Sequence, residues 1–186
     1  AKTREEFREL VETEQWDKLF RVVTIKKGQY TYGPQGTLHG SPYAPTEEEK
    51  DMVELGFETN SDITYRLYDW GRNMPDRPLH VEKVIETVNI PDDQNMGVDI
   101  VEKDIDGCKV AYFIDKPGIF TAFRIRVDEN GTFERKEFMF LFCIDGEAEI
   151  NGTVIKKGET IFIPCNYGTL TIKGKAEFGG MTYRNL

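Results

Sequence analysis

Apolar positions near the start of the chain recur at helical spacing: Phe7, Leu10 and Val11, then Trp16, Leu19 and Phe20. One or two short helices are therefore predicted over residues 3–21. They would open on the capping-box order Thr3-Arg4-Glu5-Glu6, in which Thr3 caps and Glu6 reaches back. From Val22 the pattern changes to short apolar runs broken by Gly, Pro and Asn. Residues 41–52, with Pro42, Pro45 and the run Glu47-Glu48-Glu49, predict a solvated acidic loop. Pro78 is placed to open a short helix carrying Leu79, Val84, Ile85 and Val88 on one side. Residues 89–97 are polar and turn-rich, the pattern of a linker.

Beyond the linker the pattern is that of strands. Val110–Ile114, Phe120–Val127, Phe138–Ile144, Thr160–Ile163 and Leu170–Ile172 are rich in aromatic and β-branched residues. Asp106-Gly107, Asn130-Gly131, Asp145-Gly146 and Asn151-Gly152 fall between or beside them and predict hairpin turns. Many short strands with regular turns imply a jelly roll or small barrel. The expected fold is mainly β with short N-terminal helices, divided into 1–97 and 98–186.

Composition narrows the function classes. With 39% hydrophobic residues and 12% aromatics among 186, the chain is too apolar to be disordered and long enough for a sizeable core. A net charge of −9 argues against partners held by phosphate or anionic lipid, so neither nucleic acid nor membrane is expected. No run approaches the roughly 20 apolar residues of a membrane span. The charged start predicts no secretory signal, and a cytoplasmic protein is expected. Cys108, Cys143 and Cys165 form no close pair, so they are expected to be reduced core residues. There are only two histidines, too few for a histidine-rich metal site built from this chain alone.

Two stretches resemble each other. Ile25-Lys26-Lys27-Gly28 is followed after five residues by Pro34 and then Gly36-Thr37-Leu38-His39. Ile155-Lys156-Lys157-Gly158 is followed after five residues by Pro164 and then Gly168-Thr169-Leu170-Thr171. Self-similarity of this kind suggests two copies of one supersecondary unit. Shared turn chemistry alone is the plainer alternative.

The spacing G-x5-P-x-G-x2-H from Gly28 to His39 resembles the second signature motif of the cupin superfamily. That resemblance implies a small β-barrel in which His39 binds a divalent metal. No histidine precedes His39, so the first barrel is expected to be incomplete, its other ligands coming from a missing N-terminal segment or a partner chain. In the second copy Thr171 stands where His39 stood, and Phe138, Met139 and Phe140 stand where histidines would be needed, so that barrel is expected to be metal-free.

Residues 58–72, from Glu58-Thr59-Asn60-Ser61-Asp62 through Tyr65-Arg66-Leu67-Tyr68-Asp69-Trp70 to Arg72, are followed by Leu79-His80-Val81-Glu82-Lys83. With the histidine segment upstream, this run resembles the C-terminal portion of type I mannose-6-phosphate isomerase, also called phosphomannose isomerase. The resemblance implies zinc, a sugar-phosphate substrate, and aldose–ketose interconversion of mannose 6-phosphate and fructose 6-phosphate. It implies His39 as a metal ligand, Arg66 as a catalytic and substrate-binding cation, and Glu58 and Arg72 as substrate-binding residues. Asp62 and Tyr65 would orient Arg66, and His80 would be structural. Two departures stand out: Gly56 lies where the family usually carries glutamate, and the interval from His39 to Arg66 is long. They motivate the alternative of a non-catalytic cupin-like module that binds a sugar or sugar phosphate.

Overall fold

The computed structural model describes residues 1–41, 54–59, 61, 63–72, 74–93, 98–116 and 118–183. The acidic loop expected at 41–52 falls almost wholly outside the described residues, as do Asp62 and the end of the expected linker, 94–97. The chain divides into two compact units, one of residues Ala1–Glu54 and Asn60–Val98, the other of Leu55–Thr59 and Asp99–Leu186. The division near residue 98 is accompanied by an exchange: Leu55–Thr59 joins the second unit rather than the first.

Eight strands of the second unit form one antiparallel sheet. They are β3 (Lys103–Ile105), β4 (Cys108–Lys116), β5 (Phe120–Val127), β6 (Asn130–Phe133), β7 (Met139–Ile150), β8 (Thr153–Lys156), β9 (Thr160–Ile163) and β10 (Leu170–Thr182). The path runs β3-β4-β5-β10-β7-β8, with β6 also on β10 and β9 also on β7. The long strands β7 and β10 pair with each other, and each serves two further partners on its other edge: β7 pairs with β9 through 139–142 and with β8 through 147–150. Likewise β10 pairs with β6 through 170–173 and with β5 through 176–182. One sheet can fold over onto itself this way only if its long strands bend. The bends are supplied by Gly146 at φ 76° and Gly174 at φ 131°, next to a register shift between Glu177 and Phe178. The enclosed core includes Phe123, Ile125, Met139, Leu141, Leu170, Ile172 and Phe178.

Two of the four expected hairpins form. Asp106-Gly107 joins β3 to β4 and Asn151-Gly152 joins β7 to β8, all four residues having positive φ as a type I′ turn requires. Asn130-Gly131 instead opens β6, where a Cβ on Gly131 would lie 2.5 Å from Cys108 Sγ. Asp145-Gly146 does not end a strand but bends one. Cys108 and Cys143 are buried free thiols, whereas Cys165, also expected in the core, is exposed. It lies in the turn after β9, where there is no alternation to direct it inward.

The first unit contains α1 (Arg4–Glu12), α2 (Trp16–Leu19), β1 (Gln29–Tyr30) and α3 (Val81–Thr87), and β2 (Val98–Asp99) lies at the boundary. Thr3 caps α1 by accepting from the Glu6 amide at 3.2 Å, while Glu6 reaches back one residue further than a capping box requires, to the Lys2 amide at 2.6 Å. Phe7 and Val11 then meet Leu67, Val84, Ile85 and Val88 in a small core, with Trp16, Leu19 and Leu38 against it. Arg8 clamps α1 to α3 through two 2.8 Å bonds to Glu82, whose carboxyl is held below its ordinary range by that arginine. Helix α3 starts three residues after Pro78, and Leu79 is exposed rather than on its buried face. The cause is local pairing: the His80 amide donates to the Arg66 carbonyl at 2.7 Å, which holds residues up to 80 extended.

Candidate functional site

The two similar stretches fold into the same turn. Gly28 and Gly158 have φ of 86° and 88°. The Gln29 amide donates to the Lys26 carbonyl at 3.0 Å, and the Glu159 amide to the Lys156 carbonyl at 2.9 Å. Each residue after the glycine also turns its side chain back: Gln29 Oε1 accepts from the Lys26 amide at 3.0 Å and Glu159 Oε2 from the Lys156 amide at 2.7 Å. Gly36 and Gly168 repeat the agreement further on, at φ 84° and 94°.

His39 ends the first of these stretches. Its Nδ1 lies 2.9 Å from the Thr37 carbonyl oxygen, a geometry that places the proton on Nδ1 and the lone pair on Nε2. A ring oriented by a backbone carbonyl is the usual arrangement of a metal-ligating histidine. His39 is exposed, so Nε2 is accessible. A catalytic zinc takes about three protein ligands, and among the described residues no group of three His, Cys, Asp or Glu could hold a metal ion. One ligand of the right kind is present; by themselves the described residues do not hold zinc.

Arg66 lies in the extended segment before α3. Its amide donates to His80 Nδ1 at 3.2 Å and its carbonyl accepts from the His80 amide at 2.7 Å, so His80 holds this backbone on both sides. Tyr65 packs 5.9 Å from the His80 ring and lies under Lys83 Nζ at 5.3 Å. Arg66 Nε is 4.0 Å from Asp69 Oδ1, and its Nη1 donates to the Pro78 carbonyl at 3.5 Å.

The residue that organises this region is Asp69, which the sequence did not single out. It is 5% exposed and faces three guanidiniums: Arg72 Nη2 at 2.5 Å, Arg77 Nε at 3.4 Å and Arg66 Nε at 4.0 Å. Burial alone would push its carboxyl up; the hydrogen bonds and charges of Arg72 and Arg77 outweigh that and hold it below its ordinary value. Its carbonyl also accepts from the Arg72 amide at 2.9 Å and Nε at 3.3 Å, across a turn in which Trp70 and Gly71 have φ of 55° and 72°. Three guanidiniums thus gather around one buried carboxylate in a chain of net −9. The signal available in the sequence was the D-x-x-R spacing from Asp69 to Arg72.

Glu58 is exposed and belongs to the second unit, whereas His39, Arg66 and Arg72 belong to the first. In that second unit the double-folded antiparallel sheet, with its glycine bends and filled interior, defines a cupin domain. Residues 112–179 match the family model for the mannose-6-phosphate isomerase cupin domain. ManA, a mannose-6-phosphate isomerase of Bacillus subtilis (strain 168), is 30% identical over 185 residues, covering 95% of this chain and 56% of its own length. GmuF of the same organism, a probable mannose-6-phosphate isomerase, is 28% identical over 186 residues, with 96% and 56% covered. The crystal structure of the mannose 6-phosphate isomerase from Bacillus subtilis matches with a TM-score of 0.77 at 22% identity, over 97% of this chain and 57% of that one, and shows the same fold. Residues 112–179 thus match a mannose-6-phosphate isomerase cupin domain, and the chain as a whole is similar to mannose-6-phosphate isomerases. It spans a little over half the length of the curated relatives it matches. Among the described residues no helix is long and apolar enough to cross a membrane.

Proposed function

We propose that this chain is the C-terminal part, or a shortened form, of a cytoplasmic zinc-dependent isomerase that interconverts mannose 6-phosphate and fructose 6-phosphate. The observation that supports this most is His39, whose Nδ1 contact with the Thr37 carbonyl leaves Nε2 of the neutral ring free to accept a ligand bond, at the end of a G-x5-P-x-G-x2-H frame. Zinc belongs to this reading as a cofactor whose remaining ligands lie outside the described residues.

Moving a proton between C1 and C2 of a sugar phosphate passes through an enediolate, which needs positive charge near the developing oxyanion. Arg66 supplies a guanidinium with several donors, on a backbone bonded to His80 and beside Asp69. Arg72 and Glu58 bind the substrate in this reading. The Arg72 bond to Asp69 also gives it a share in holding the arginine cluster together.

Arg66→Ala, made in a protein carrying the full ligand set, is expected to lower kcat by at least about 10²-fold, the usual effect of removing an oxyanion-stabilising group. Wild-type turnover in a coupled isomerase assay would overturn the assignment. The chain on its own, given zinc and mannose 6-phosphate, is expected to show little turnover in that assay. The non-catalytic alternative predicts binding of mannose 6-phosphate that calorimetry finds unchanged by a chelator. Binding abolished by the chelator would exclude it.

A further inference from the structure

Strand β10 ends in two adjacent glycines that serve opposite faces of the sheet. A Cβ on Gly180 would lie 2.2 Å from Phe123 Cε2, inside the core. A Cβ on Gly179 would lie 2.4 Å from Leu55 Cδ2, 3.2 Å from Phe57 Cζ and 3.4 Å from Ile144 Cδ1. The outward-facing positions of β10 are 171, 173, 175, 177, 179 and 181, and of these only Gly179 is buried. Its missing side chain is a notch in the outer face, filled by the segment Leu55–Thr59, which belongs to this unit although it is remote in sequence.

We propose that this notch positions Glu58, so that the second unit's sheet is the anchor of a substrate-binding residue; this rests on the role given to Glu58 above. Leu55 and Phe57, two residues apart, both reach Gly179, as side chains of an extended segment do when they share one face. Gly56 and Glu58 then project from the other face, away from the barrel, and Glu58 is indeed exposed. Gly179 is thus a positioning residue, acting through two apolar anchors rather than by touching substrate. The notch gives the barrel a task that needs no metal.

Gly179→Ala in the full chain forces the Leu55 tip out while leaving Ile144 at ordinary contact. The strap-side variant Leu55→Ala/Phe57→Ala removes the anchors without touching the sheet. Both are expected to raise amide hydrogen exchange at 55–59 at least tenfold and leave β7 and β10 amides unchanged. Both should also weaken mannose 6-phosphate binding in calorimetry at least threefold, as Glu58→Gln should. Unchanged exchange at 55–59 in both variants overturns the anchor. Faster exchange with unchanged affinity, where Glu58→Gln does weaken binding, overturns the positioning role. If Glu58→Gln is also silent, the substrate role of Glu58 falls and with it the positioning proposal, while the anchor itself stands.

Discussion

Gly146→Ala is expected to destabilise the second unit by about 2–5 kcal/mol, measured as a lowered denaturation midpoint at unchanged slope. Two penalties meet at this position. Its φ of 76° costs a residue bearing a Cβ roughly 1–2 kcal/mol. The added Cβ would also lie 2.1 Å from the Lys175 carbonyl oxygen and 3.1 Å from Ala176 Cα, backbone atoms of the partner strand that cannot rotate away. Overpacking of this kind costs typically 1–3 kcal/mol. Gly152→Ala separates the two. Its φ of 88° is as unfavourable, yet nothing lies within 4 Å of its Cβ. It should lose only the conformational part, about 1 kcal/mol. Equal losses at the two positions would show that the sheet does not fold over at Gly146.

That same glycine marks where the sequence stopped being sufficient. Asp145-Gly146 and Asn151-Gly152 are alike as dipeptides, and both supply the positive φ of a two-residue turn. Which becomes a turn depends on register. Asn151 and Gly152 are followed at once by Thr153–Lys156, which pairs back on Glu147–Ile150. After Gly146 the chain continues as the same strand, because Glu147 to Ile150 still have β10 beside them. Pairing between residues some thirty apart is not visible in a local pattern. Elements whose information is local were legible: the Thr3 cap, the helical spacing of Phe7 and Val11, and the aromatic and β-branched run of β5. The paired Lys-Lys-Gly turns were legible too, since one glycine and one side chain determine each of them.

The candidate site divides along the same line. His39 stands out because its frame is fixed by nearby Gly and Pro residues, and Arg66 because of the family resemblance. Asp69 was passed over because a carboxylate gathering Arg66, Arg72 and Arg77 becomes visible only when Pro78 to His80 return alongside Arg66. Leu55 and Phe57 carry no local signal, since the notch that seats them is a missing side chain over a hundred positions away.

Asp69→Asn should have the largest effect in the first unit. Asparagine keeps the shape and can accept from Arg72, but it removes the carboxylate charge that faces Arg66, Arg72 and Arg77, one of them 2.5 Å away. Asp69 is buried and accepts charge-assisted bonds from side chains that are partly exposed; losing that charge weakens each of these bonds, so the thermal midpoint should fall clearly at neutral pH. The acid limb provides the sharper readout. Because the folded pKa of Asp69 lies below the ordinary carboxylate value of about 3.9, the unfolded chain binds more protons between those two values. The stabilisation is therefore complete above the ordinary value and is lost as pH falls through the folded one. Wild-type protein should lose thermal stability across that window, and the asparagine variant should lose less, having surrendered that component already. If the two proteins show parallel pH profiles, separated by a constant offset, Asp69 is not the carboxylate that holds the arginine cluster.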